Sequence, residues 1–190
     1  MSATLLESRN QHDLLGDPMG RCEIIDGVEV ELPPMSVYSS EVGNRVFQKL
    51  SVFLEGSELG QAQHEVLFRL ALPKDRNRIP DVAFTSYKRW PQDRPFPFGG
   101  NARDVVPDLA VEVVGPGDYC DELIEKIQEY LEAGVRLIWI VYCKVRQVHV
   151  YDSSSLIRKL VSSDYLDGGD VIPGFRIPVS SIFPPGATGN

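Results

Sequence analysis

The sequence predicts an α/β or α+β domain in which helices flank a mixed β-sheet. Apolar residues recur with a helical period in two separate segments, and short runs rich in β-branched and aromatic residues lie around them. The resulting order is a helix, three strands, a second helix and two or three further strands. This order is typical of a sheet covered by helices.

The N-terminal part of the chain predicts an arm followed by one domain. Residues 1–20 are polar and show no sustained period, so we expect a loosely ordered arm and a single domain over residues 21–190. The segment CEIIDGVEVEL then predicts two short strands joined by a tight turn at Asp26 and Gly27.

The first helix is predicted in the segment VYSSEVGNRVFQKLSVFLEGSELG. Its apolar stripe consists of Val42, Val46, Leu50, Phe53 and Leu54. Ser39 or Ser40 is the expected N-cap, and Gly56 or Gly60 is the expected stop.

Three strands, the second helix and the C-terminal strands follow. The strand segments are AQHEVLFRLAL, DVAFTSY and PDLAVEVV, with a long Pro- and Gly-rich loop between the last two. After a Gly-Pro-Gly turn, the segment DYCDELIEKIQEYLEAGV predicts a helix that Gly134 ends. The segments RLIWIVYC and RQVHVYD predict paired strands, IRKLVSS a further strand, and VIPGFRIPVSSIF an extended tail limited by its prolines.

Composition excludes several classes of protein. The net charge of −8 argues against a protein that coats nucleic acid without specificity, because such binding relies on clustered Lys and Arg. Residues 74–103 nevertheless carry seven basic and three acidic residues, which indicates either a solvated loop or a surface that faces an anion. The N-terminus lacks the pattern of a signal peptide and no apolar run reaches membrane-helix length, so we expect a cytoplasmic protein. The three cysteines show no disulfide or zinc spacing.

One acidic residue in an apolar strand is the main indication of function. Glu112 interrupts the run LAVEVV, and a buried carboxylate is costly unless it is paired, hydrogen-bonded or bound to a metal. Asp108 shares its strand face but lies roughly 13 Å away along the strand, which favours a structural role for it. Asp81 begins the preceding strand and can converge with Glu112, because neighbouring strands are only about 4.8 Å apart.

The second helix supplies a basic side chain to the same place. Lys126 falls at the edge of the apolar stripe and can face the sheet, whereas Glu122, Glu125, Glu129 and Glu132 are expected to face solvent. Two carboxylates and a lysine can hold a hard divalent cation and a water or phosphate oxygen. The alternative is that Glu112 belongs to a structural ion pair with Lys126 or an arginine.

The segments RIPDVAF, PDLAVEVVGPGD and EKIQEYLEAGVRLIWIV, in that order, resemble the restriction endonuclease domains of the Uma type, a branch of the PD-(D/E)xK nuclease superfamily. The resemblance covers about residues 20–183 and implies a restriction-endonuclease-like fold. It also implies that Asp81 and Glu112 bind a metal together with the backbone carbonyl of Val113, with Mg²⁺ as the cofactor and Mn²⁺ as a substitute.

The chain departs from the superfamily pattern at one motif position. Val114 stands where the motif has a lysine, and Lys126 stands where the Uma-type branch has its lysine instead. The branch often has a histidine near the start of its first helix, where Glu41 or Ser40 stands here. Glu23 resembles a recurrent glutamate of the branch, and Glu23, Glu41 and Asp108 are therefore accessory candidates.

These features predict a Mg²⁺-dependent endonuclease that hydrolyses DNA, with Asp81, Glu112 and Lys126 as catalytic residues. Lys88, Arg89 and Trp90 are candidate nucleic-acid contacts, with Trp90 either stacking on a base or standing as an exposed loop aromatic. The alternative function is an inactive nuclease-like scaffold that binds nucleic acid or a protein partner. Because cutting two strands usually needs two sites, a homodimer is expected.

Overall fold

The structure is a computed structural model that describes residues 21–96, 98, 102–117, 119–152 and 156–185. The predicted arm, residues 1–20, lies outside the described residues, so the division into an arm and a single domain over residues 21–190 stays a prediction. No helix among the described residues is long and apolar enough to cross a membrane.

Twelve strands and two α-helices make up the described part of the chain. The helices are α1 (Val37–Leu54) and α2 (Cys120–Glu132). The strands of the first half are β1 (Cys22–Ile25), β2 (Val28–Glu31), β3 (Gly60–His64), β4 (Phe68–Leu70), β5 (Arg76–Arg78) and β6 (Val82–Ser86). The strands of the second half are β7 (Leu109–Val114), β8 (Leu137–Tyr142), β9 (Gln147–Asp152), β10 (Ile157–Leu160), β11 (Tyr165–Asp167) and β12 (Arg176–Pro178).

A six-stranded mixed sheet with the order β10-β9-β8-β7-β6-β3 forms the centre of the fold. Only its β7–β8 pair is parallel, because α2 forms the crossover between these two strands. A four-stranded sheet with the order β2-β1-β5-β4 and the two-stranded pair β11-β12 complete the structure. The α+β class and the mixed sheet are thus as predicted.

The two helices cover opposite faces of the six-stranded sheet. Residues Val42, Val46 and Leu50 of α1 pack in one core cluster with Val111 and Trp139. On the other face, α2 packs against β7 and β8 through Ile127 and Tyr130, which contact the cluster of Ala110, Ile138 and Ile140. The alternation of side chains along β7 therefore directs Glu112 toward α2.

The predicted hairpin at Asp26 and Gly27 is confirmed, with β1 and β2 pairing antiparallel around it. The single strand predicted for AQHEVLFRLAL is wrong. Its residues form β3 and β4, which belong to different sheets. Between them Glu65 adopts a φ of 51°, a left-handed conformation that a continuous strand does not contain.

The predicted N-cap of α1 is also wrong. Ser36 is the N-cap, and its Oγ accepts a hydrogen bond from the backbone N–H of Ser39 at 3.1 Å. The stop is as predicted, because Gly56 follows the helix with a φ of 71°. In the tail, β12 is extended, but residues Val179–Ile182 form a 3-10 helix that pattern reasoning did not predict.

Candidate metal-dependent active site

A cleft of about 450 Å³ lies where β7 ends and α2 begins. Its walls come from the β1–β2 hairpin, the segment before α1, the turn at residues 115–117 and the first turns of α2. Asp81, Glu112 and Lys126 all line this cleft. The structure therefore brings together the three residues that the sequence singled out.

Sheet register places Asp81 beside Glu112. Val82 pairs with Val111 across β6 and β7, so one further step of the antiparallel register sets Asp81 opposite Glu112. Asp81 accepts a hydrogen bond from the backbone N–H of Val113 at 2.7 Å, and Arg21 lies 3.5 Å from its other oxygen. Burial raises the pKa of Asp81 even though these two contacts favour its ionised form.

Glu112 has incomplete charge compensation. The hydroxyl of Tyr130 donates to its Oε1 at 2.7 Å, and Lys126 Nζ lies 3.9 Å from its Oε2. Burial raises the pKa of Glu112 to about 7, and the nearby charge of Asp81 adds to this effect, while Lys126 opposes it. Binding of an additional cation to this carboxylate is therefore favourable.

Lys126 is held by a second acid. Its Nζ lies 3.0 Å from Oε1 of Glu23, which is fully buried. Burial opposes the positive charge of Lys126, but Glu112 and Glu23 outweigh it and raise the pKa of Lys126, so the ammonium form persists. Burial likewise opposes ionisation of Glu23, yet Lys126 and Arg78 lower its pKa. Glu23 thus positions Lys126 at the wall of the cleft.

The backbone of β7 adds an oxygen to the site. In a strand, the N–H and C=O of one residue point to the same neighbouring strand. Because the N–H of Val113 reaches Asp81, its carbonyl is directed toward the same side, where the chain precedes the first residue of β6, Val82. Among the described residues no three His, Cys, Asp or Glu side chains cluster as a metal site. Two carboxylates with raised pKa values and a backbone carbonyl nevertheless match the oxygen ligands that Mg²⁺ prefers.

A buried network behind the site contradicts one expectation about α2. Glu129 was expected to face solvent, but it is 8% exposed and binds Arg78 Nε at 2.7 Å and Arg76 Nε at 3.1 Å. Strand β5 approaches this side of α2 and supplies both arginines. Arg78 also donates to Glu23 at 2.7 Å, so this network supports the residue that holds Lys126.

The accessory position on the first helix was assigned wrongly. Glu41 forms an ion pair with Arg45 at 2.7 Å on a different surface, and neither Glu41 nor Ser40 lines the cleft. The serines of this helix that line it are Ser36 and Ser39, because α1 begins earlier than predicted.

Asp108 and Arg89 bind each other and do not line the cleft. Asp108 is 2% exposed, accepts from the N–H of Ser86 at 2.8 Å and lies 3.1 Å from Arg89 Nε. Arg89 also donates to the carbonyls of Val106, Pro107 and Gly134. Its guanidinium is therefore occupied within the protein, which argues against the predicted contact with nucleic acid.

Trp90 is not an exposed loop aromatic. It is 2% exposed, with Arg94 and Arg103 over its ring at 3.9 and 4.6 Å and Phe96 stacked beside it. This burial leaves no face of the ring for a base, which corrects both predicted roles. Lys88 is exposed, and a nucleic-acid contact there stays a prediction.

Pattern reasoning missed two residues of the site. The helical period places Tyr130 on the apolar side of α2, where it packs in the core, but its hydroxyl reaches Glu112. Its position four residues after Lys126 places both on one helix face, and this spacing was the available signal. Arg21, which pairs with Asp81 and Glu65, stands at the end of the polar N-terminal segment and gave no signal.

Comparison with known proteins agrees with this fold. The Anabaena variabilis protein described as "a putative nuclease belonging to DUF820" has a crystal structure that matches with a TM-score of 0.74. The match covers 85% of this chain and 89% of that chain at 15% identity, so it shows the shared fold alone. A search of curated proteins found no match. The model of the Uma2 family, described as "Putative restriction endonuclease", matches residues 10–180. This match spans most of the sequence, and the chain therefore belongs to the Uma2 family.

Proposed function

We propose that the protein is a divalent-metal-dependent endonuclease that hydrolyses phosphodiester bonds in DNA. Membership of the Uma2 family supports a nuclease-like function. The observation that carries the finer proposal is the pair Asp81, directly before β6, and Glu112 in β7, two buried carboxylates with raised pKa values in one cleft. Such a pair lowers its free energy by binding a cation.

Asp81, Glu112 and the carbonyl of Val113 would hold Mg²⁺, for which Mn²⁺ can substitute. When bound, such an ion polarises a phosphate oxygen and lowers the pKa of a water. The chain's own residues fix these ligands: the N–H of Val113 orients Asp81, and the hydroxyl of Tyr130 orients Glu112.

Lys126 would provide the positive charge near the reacting phosphate. Its ammonium group is retained by Glu23 and Glu112 and can donate to a water or to an oxygen that gains charge in the transition state. Val114, which lines the same cleft at the usual motif position, has no group that can do this. Lys126 is therefore the proposed replacement for the motif lysine.

Cleavage of a supercoiled plasmid tests the proposal. We expect nicking or cutting with Mg²⁺ or Mn²⁺, loss of activity with a chelator, and a loss on the order of 10²- to 10³-fold in Asp81→Asn. Asp108→Asn is the matched control, because Asp108 is also a buried aspartate after a proline but lies away from the cleft. Activity that survives both the chelator and Asp81→Asn would exclude this site.

A second candidate is a nuclease-like scaffold that binds without cutting, which Val114 and the net charge of −8 favour. This scaffold would show no metal-dependent cleavage. Calorimetry would show no binding of Mg²⁺ that is present in wild type and lost in Asp81→Asn.

The homodimer also stays a prediction, and sedimentation at micromolar concentration tests it. A monomer would contradict it.

A further inference from the structure

The cations of the cleft are already paired with acids. Among the described lining residues the basic side chains are those of Arg21, Arg78 and Lys126. Arg21 lies 3.1 Å from Glu65, Arg78 binds Glu23 and Glu129 at 2.7 Å, and Lys126 lies 3.0 Å from Glu23. The remaining charged side chains that line the cleft are acidic.

This charge pattern leaves few free cations for the backbone of a nucleic acid lying across the site. Proteins that bind duplex DNA gain a large share of their affinity from Lys and Arg that neutralise phosphates, whereas single-strand binders add aromatic rings on which bases stack. Glu122 and Glu125, on the first turns of α2, instead place two acids in the wall of the cleft. Apart from the contact with a metal ion held by Asp81 and Glu112, a nucleic-acid ligand of this cleft must therefore gain its affinity from contacts other than its phosphates.

The walls of the cleft offer apolar and aromatic surface. One wall contains Val30, Pro33 and Met35, and Val30 is 38% exposed on the edge strand β2. Pro116 and Tyr119, which lie just before α2, also line the cleft. Tyr119 is 71% exposed.

Local structure does not explain the presence of Tyr119. It is the N-cap residue of α2, a position where Ser, Thr, Asp or Asn would bond to a free backbone N–H. Tyr119 makes no such side-chain hydrogen bond. An exposed aromatic ring without a capping role, in the same cleft as a pair of carboxylates, has the properties of a platform on which an unpaired base stacks.

We propose that the cleft binds single-stranded DNA, with an unpaired base stacked on Tyr119 and the adjoining phosphate at the place where Asp81 and Glu112 would hold a metal ion. This proposal rests on the proposed nuclease function for its choice of ligand. Bases inside a duplex are stacked on one another and cannot reach the ring of Tyr119. The substrate class would therefore be DNA with unpaired segments, such as single strands, flaps or frayed ends.

Fluorescence anisotropy with labelled oligonucleotides tests this directly. Measured with Mg²⁺, on a time scale over which a parallel gel shows no cleavage, binding should be tighter for a single strand than for the duplex of the same sequence. Tyr119→Ala should weaken single-strand binding about 10- to 100-fold, and Tyr119→Phe should keep it, because stacking needs the ring and not the hydroxyl. Tyr165→Ala is the control, since Tyr165 is another exposed tyrosine and lies on β11, outside the cleft.

The outcomes separate the two proposals. If no metal-dependent cleavage is seen but single-strand binding depends on Tyr119, the nuclease proposal is overturned and the single-strand proposal stands. Cleavage with equal or tighter duplex binding, or with single-strand binding that Tyr119→Ala leaves unchanged, would overturn the single-strand proposal. Absence of binding to either oligonucleotide would overturn it as well. Thermal melting of each variant verifies that it is folded.

Discussion

Asp108 and Glu112 lie on the same face of one polypeptide segment and are both buried, at 2% and 7% exposure, yet their surroundings differ. Asp108 accepts from the backbone N–H of Ser86 and has Arg89 and Arg136 within 3.1 and 3.6 Å. Glu112 accepts from the neutral hydroxyl of Tyr130, and Lys126, its nearest cation, lies 3.9 Å away and closer to Glu23.

Burial alone does not distinguish the roles of these two acids. The number of cations and hydrogen-bond donors that neutralise each carboxylate does. Asp108 is contacted by two arginines and by one backbone N–H donor. These contacts connect the ends of strands to the neighbouring loops. Glu112 shares one lysine with a second acid and has a third acid, Asp81, beside it. The first arrangement stabilises the fold, and the second leaves a place for a cation at a cost in stability.

The largest expected change in stability lies at Asp108. Asp108→Ala leaves the N–H of Ser86 and two arginines without their acceptor, so the free energy of unfolding should fall by about 2–4 kcal/mol. Asp108→Asn keeps an oxygen for Ser86 and should cost less. Urea denaturation measures both, and a loss below about 1 kcal/mol in Asp108→Ala would show that these contacts contribute little.

The opposite sign is expected at Glu112. Its folded-state pKa of about 7 lies above its ordinary value of 4.5, so its stabilising contribution is complete below pH 4.5 and is lost as the pH rises through 7. Glu112→Gln removes this loss and keeps an acceptor for Tyr130. In the absence of divalent metal, the variant should therefore gain on the order of 1–3 kcal/mol relative to wild type between pH 4.5 and pH 8.

Thermal or urea denaturation over that pH range measures the difference between wild type and Glu112→Gln. A difference between wild type and Glu112→Gln that is independent of pH would mean that Glu112 titrates as an ordinary glutamate.

A smaller effect is expected at Tyr130. Its hydrogen bond favours the ionised form of Glu112, so Tyr130→Phe should raise the pKa of Glu112 further. The acid limb of the cleavage profile should then move to higher pH by about half a unit to one unit. Tyr38→Phe is the matched control, because the buried hydroxyl of Tyr38 has no hydrogen-bond partner. Identical profiles for both variants would remove Tyr130 from the site.

The elements near Glu112 were predictable because their signals are local. The period of two along β7, the spacing of adjacent strands and the helical period of α2 were sufficient to bring Asp81, Glu112 and Lys126 to one place. Glu129 and Trp90 were misjudged because the accessibility of a helix flank or a loop ring depends on what packs over it. Those partners, Arg76 and Arg78 for Glu129 and Arg94 and Arg103 for Trp90, come from separate parts of the chain.

The start of α1 shows the same limit on a smaller scale. Ser36, Ser39 and Ser40 are all acceptable N-caps by residue type, and the choice depends on where the preceding prolines direct the chain. The split of AQHEVLFRLAL likewise depends on a backbone turn at Glu65, a residue type that does not usually mark a left-handed position.

Calorimetric titration of Mn²⁺ or Mg²⁺ tests most directly whether Glu112 and Asp81 hold a metal ion. Wild type and Asp108→Asn should each bind one ion in the cleft, and Glu112→Gln should lose this binding, with a corresponding metal-induced rise in melting temperature only in the first two. Equal metal binding in wild type and Glu112→Gln would contradict the proposed metal site.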